Sequence, residues 1–167
     1  MPRFSIVPRA LTPAAALAAF LTALLSGPAD TRADAVISGP PCIVDGNTIQ
    51  IGEKRKKGVC WGGIAVRLHS SIAPDLDTTC TDSGGRTWPC GQEAKAAMSK
   101  IIRLKEIVCY HVDGEFMDGI PLTTCISGRN DVASQMIRRG MAKNPPEHQR
   151  YKAEEDHAKE RRLGLWK

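Results

Sequence analysis

The chain has 167 residues, 42 % of them apolar and 25 % charged, with a formal charge of +5 and six cysteines. That length allows one ordinary domain, and the apolar share excludes a wholly disordered chain. The positive balance admits polyanions as partners without choosing among nucleic acid, acidic polysaccharide and anionic lipid.

Residues 1–9 carry Arg3 and Arg9 and no acid, a twelve-residue apolar run follows at 14–25, and small residues lead to Ala33-Asp34-Ala35. This order reads as a secretory signal peptide over 1–35, with the domain proper over 36–167. As a helix the run would reach only roughly 18 Å, short of the ~30 Å hydrocarbon core. The mature protein is therefore expected without a membrane span and exported, periplasmic or secreted.

All six cysteines lie beyond residue 35. None forms a Cys-x-x-Cys pair, which argues against a cysteine zinc site. Export and an even count argue for three disulfides. Many connectivities are open; nearest-neighbour pairing, Cys42–Cys60, Cys80–Cys90 and Cys109–Cys125, is the one expected.

Residues 42–51 are β-rich and contain Asp45-Gly46, a turn signal. Residues 53–58 form a charged turn. Residues 63–69 alternate as a strand, with Arg67 and His69 on the polar face. The stretch 70–89 reads as loop. In 92–103, Ala94, Ala97, Met98, Ile101 and Ile102 give a helical apolar stripe. Residues 107–112 and 121–126 read as strands around Asp118-Gly119. Asn130 or Asp131 caps a helix running to Arg139, stopped by Gly140. After Pro145-Pro146, 148–162 reads as a polar helix laced with i,i+4 pairs. The order is α+β: a small antiparallel sheet or barrel with helices to one side. His69 reads as structural, and His111, His148 and His157 form no recognisable cluster, so no metal or other cofactor is assigned to them.

Four stretches together resemble the thermonuclease-like (staphylococcal-nuclease-like) family: residues 44–49 (VDGNTI), 66–69 (VRLH) with 73–75 (APD), 136–142 (MIRRGMA) and 163–166 (LGLW). Residues 79–94 are similar to its secreted, disulfide-bearing bacterial branch. The resemblance implies a five-stranded OB-type antiparallel β-barrel with about three helices. It also implies a calcium-dependent phosphodiesterase centre, with two metal-binding aspartates, a metal-binding carbonyl, a glutamate base and two phosphate-holding arginines.

Carried over position by position, that centre is eroded. Asn47 stands at one metal-binding aspartate and Ile72 at the other. Ala73 supplies the carbonyl. Asp75 replaces the glutamate with an acid one methylene shorter. Arg67 keeps the first arginine, and Ile120 stands at the second. Arg67 and Asp75 are thus the remnants of a catalytic set, and Asp45 or Asp77 the only acids that could substitute as ligands. The resemblance extends to nuclease-like proteins of exopolysaccharide (succinoglycan) biosynthesis clusters. It implies a non-enzymatic accessory or binding role, with an acidic polysaccharide or an export protein as partner. Nucleic acid ranks below these, because the family's hairpin aromatic is missing. The alternative is a calcium-dependent nuclease with a rearranged site, and only there is calcium expected as cofactor.

Overall fold

The computed structural model describes residues 35–52, 59–103 and 106–167. The expected signal peptide over 1–35, but for its last residue, and the expected charged turn at 53–58 lie outside the described residues. The strands are β1 (Val36–Gly39), β2 (Pro41–Ile43), β3 (Thr48–Ile51), β4 (Ile64–Leu68), β5 (Cys80–Thr81), β6 (Thr87–Trp88), β7 (Ile107–Met117), β8 (Ile120–Ser127) and β9 (Asn130–Asp131). The helices are α1 (Cys90–Ile101), α2 (Val132–Arg138) and α3 (Lys152–Glu160), with a closing 3-10 turn at Gly164–Trp166.

The main sheet runs β1-β7-β8-β4-β3-β2, with β9 added on β8, and β5–β6 forms a separate two-stranded ladder. The fold is α+β with three helices among the described residues, as expected, but the antiparallel five-stranded barrel needs correction. The sheet has seven strands, and β4 pairs with β8 in parallel. Its hydrogen-bonded path is open, ending on β1 at one side and β2 at the other. Those two ends are consecutive in sequence, separated only by Pro40, which has no N–H to donate to a ladder. Six strands laid flat would span roughly 24 Å, whereas two peptide links reach at most ~7.6 Å. The sheet must therefore curl until its ends almost meet. Of the two extra strands, one arises because the first strand breaks at Pro40 and its leading half turns to β7, and the other is the two-residue β9 on β8.

Alternation fixes which faces are buried. Ile49 and Ile51 on β3, and Val66 and Leu68 on β4, point inward, with Ile49 opposite Val66. Ala94 and Met98, one helical turn apart on α1, close over them, together with Val132, Ala133, Met136 and Ile137 of α2. Each large apolar side chain buried this way contributes roughly 1.5–3 kcal/mol. All three disulfides form with nearest-neighbour pairing: Cys42–Cys60, Cys80–Cys90 and Cys109–Cys125. Cys109 and Cys125 lie directly opposite each other on β7 and β8, and Cys80–Cys90 ties the β5–β6 ladder to the start of α1.

α2 is capped as expected by Asp131, whose carboxylate accepts from the Ser134 N–H at 3.2 Å. α3 starts at Lys152 rather than 148. The Asn144 side chain holds the preceding turn, donating to the carbonyls of Pro145 and His148 and accepting from the Tyr151 N–H at 3.3 Å. The expected i,i+4 pairs are present on α3, Lys152–Asp156 and Lys159–Glu155, each at 2.7 Å. No helix among the described residues is long and apolar enough to cross a membrane.

Candidate functional site

Three segments carry the positions singled out above: the turn between β2 and β3, the loop after β4, and the β7–β8 hairpin. The turn is stabilised by its own side chain. Asp45 Oδ1 accepts from the N–H groups of Asn47 and Thr48, both at 2.7 Å, the Asx geometry expected where an acid initiates a turn. Gly46 allows this turn to dock. A Cβ there would come within 2.7 Å of the Ala94 Cβ and 2.9 Å of the Ala73 Cβ, so the turn lies between α1 and the 72–75 loop. Beside it, the Asn47 side-chain oxygen is buried without a hydrogen-bond partner.

The loop after β4 is held on both sides. Ile72 exchanges two backbone hydrogen bonds with Lys143, at 2.9 and 2.8 Å. Its side chain is 49 % exposed and borders a cleft of about 440 Å³, shared with Lys143, Asn144, Gln149, Lys152 and Glu155. Farther along, the Asp75 carbonyl accepts from the Thr78 N–H at 2.9 Å. Gly91 is required here, because a Cβ on it would overlap the Asp75 carbonyl oxygen. The Asp75 side chain itself is exposed.

Arg67 meets the hairpin. Its Nη1 donates to Asp118 Oδ2 at 3.1 Å, with the arginine side chain 20 % exposed and the aspartate 82 %. Asp118 and Gly119 form a two-residue turn, both at positive φ (54° and 76°), between the paired residues Met117 and Ile120. Asp-Gly is the pair that such a hairpin turn favours. The geometry therefore delivers an acid to Arg67 and places half-buried Ile120 back in the strand ladder. Arg67 and Asp118 come together; Asp45 is committed to its own turn; Asn47 and Ile72 offer no anionic oxygen.

A second grouping was not legible in the sequence. His69, one strand repeat beyond Arg67, is buried, and His148 and Glu115 reach it from the α2–α3 loop and from β7. One ligand atom from each lies within 4.8 Å of the others. His69 Nε2 is 3.0 Å from Glu115 Oε2, but the contact is not aligned as a hydrogen bond, leaving Nε2 buried and unsatisfied. The His69 and His148 rings meet edge-on with centroids 4.7 Å apart. Burial holds the His69 imidazole below its ordinary value; Glu115 opposes this, while His148 and Arg150 reinforce it. The geometry thus brings His148 beside His69 and Glu115, a grouping that the sequence reading did not join. The three residues come from three separate segments, so no spacing rule could join them; the only hint was His69 sharing the polar face of β4 with Arg67.

Against known proteins, residues 66–167 match the model of the staphylococcal nuclease homologue family. No curated protein matches the chain.

Proposed function

The chain belongs to the staphylococcal nuclease homologue family, and from that premise we propose a domain whose calcium-dependent phosphodiesterase centre has been dismantled and which works by binding. The observation that carries this reading is the Arg67–Asp118 pair: the retained phosphate arginine is occupied by an acid from the hairpin that should have supplied a second arginine. An incoming phosphate would have to displace a carboxylate of its own sign.

The residues present do not fit the family's calcium ion. Calcium takes six to eight oxygens, and charge on the ligands tunes its affinity. Asn47 is neutral, Ile72 offers no donor atom, and an Asp45 oxygen already accepts two backbone N–H groups. Asp75 alone keeps an acid in place, shortened by one methylene.

The proposed role is that of an exported accessory protein acting on an acidic polysaccharide, as the likeness to exopolysaccharide-cluster proteins suggests. Three disulfides fit an oxidising compartment. The positive chain suits an anionic ligand, and the cleft beside Ile72 offers Lys143, Asn144 and Gln149, with Lys152 there paired to Asp156 and Glu155 to Lys159. Retention on immobilised succinoglycan, compared with a neutral glucan, tests this. Salt-sensitive retention weakened by Lys143→Glu with Lys152→Glu is expected. Absence of affinity for any acidic glycan would remove the polysaccharide from the proposal.

A further inference from the structure

We propose that His69, Glu115 and His148 form a binding site for one zinc-class divalent cation, a site independent of the lost calcium centre and of the glycan reading above. Two imidazoles and a carboxylate are a donor set that zinc accepts with a fourth position left open. Calcium, which selects oxygen donors, would not favour it.

Four observations converge. The ligand atoms lie within 4.8 Å of one another. His69 is 92 % buried, and its Nε2 has no aligned partner although Glu115 Oε2 is 3.0 Å away. An ion pair alone would account neither for that misalignment nor for a second imidazole edge-on at 4.7 Å. Third, the other nitrogen of His69 is held: Nδ1 is 2.8 Å from Ser70 Oγ. When Nδ1–H donates to that hydroxyl, Nε2 presents a lone pair, which is how a ligating histidine is commonly oriented. Ser70 is buried and adopts φ 54°, a conformation unusual for serine and the kind of strain found at functional sites. Fourth, Asn144 braces the loop of His148 by donating to its carbonyl.

Zinc bonds of about 2.0–2.1 Å bring tetrahedral ligand atoms to roughly 3.3 Å apart. Glu115 Oε2 already stands at 3.0 Å from His69 Nε2, so binding would chiefly draw in His148 on its loop. Among the described residues, Arg150 is the cation whose charge acts on His69; its guanidinium is 3.6 Å from Asp131 Oδ2 and lies over the Tyr151 ring.

The test is a zinc titration of the oxidised full chain, without a histidine tag, after chelator treatment, followed by calorimetry. One zinc per chain is expected, uncompeted by millimolar calcium, with affinity falling at least about tenfold in His148→Asn and Glu115→Gln. Cobalt added to the unaltered chain supplies a readout that needs no variant: the intense visible bands of a four-coordinate ion are expected. Failure to bind zinc at one per chain, unchanged affinity in both variants, or a cobalt spectrum identical to the aqua ion would each overturn the proposal.

Discussion

Arg67, the proposed remnant of a phosphate-holding arginine, is half of an internal ion pair. Asp118 is mostly solvent-exposed, so the pair is screened and should contribute little to stability. Asp118→Asn, which keeps a side chain that tolerates the positive-φ turn position, is expected to cost less than about 1 kcal/mol in denaturant unfolding; a much larger loss would mean that the pair is structural. Tyr151 is the opposite case. Its hydroxyl donates to Asp131 Oδ2 at 2.7 Å, the same carboxyl group that caps α2. Tyr151→Phe should therefore cost roughly 1.5–3 kcal/mol, as for a hydrogen bond to a charged acceptor. Burial, then the Asp131 bond, pushes the phenol well above its usual range. In the unfolded chain it ionises near pH 10, so the folded state binds the proton more tightly. Its contribution is complete below that pH and is lost as pH rises above it. Alkaline unfolding monitored at several pH values should show that loss in the wild type and a shallower one in Tyr151→Phe; equal slopes would contradict the assignment.

The elements show what sequence can and cannot carry. α1 and α2 were legible because their stripes, Ala94 with Met98 and Val132 with Met136, repeat at helical spacing, and because Asp131 is a strong capping residue. The first turn of α3 was not, because a single side chain, Asn144, captures the backbone groups that a longer helix would use. β1 was missed because four residues whose partner lies some 70 positions away carry no local signature. The β7–β8 hairpin was legible at Asp118-Gly119, yet its functional content lies in two acids, Glu115 and Asp118, aimed at His69 and Arg67 on one face of β4. The expected loss of family groups at Asn47, Ile72 and Ile120 rests on sequence alone; the Arg67–Asp118 contact needed the structure. The 75–78 loop depends on Gly91, the second residue of α1. Gly91→Ala is expected to destabilise by about 1–3 kcal/mol, the usual cost of forced overpacking, measurable as a lowered denaturation midpoint. An unchanged midpoint would mean that the loop is free to move away.

Across the molecule, a sheet curled until its ends are one residue apart, packed by helices and held by three disulfides, is the scaffold of a staphylococcal nuclease homologue, and its chemistry is proposed to have changed. Scaffold and activity can separate because the core rests on the apolar side chains of Ile49, Val66, Leu68 and Met98, whereas phosphodiester hydrolysis of the family type would need anionic oxygens and free guanidinium groups, which are proposed to be missing or paired. The central claim is that no calcium nuclease remains. The most direct measurement is cleavage of single-stranded DNA and RNA by the oxidised protein, with calcium and with chelator, beside Arg67→Ala as the matched control. The account predicts no calcium-dependent cleavage from protein shown to be folded. Calcium-dependent cleavage that disappears in Arg67→Ala would contradict it, and would mean that Asp45, Asp75 and Arg67 have rebuilt the site.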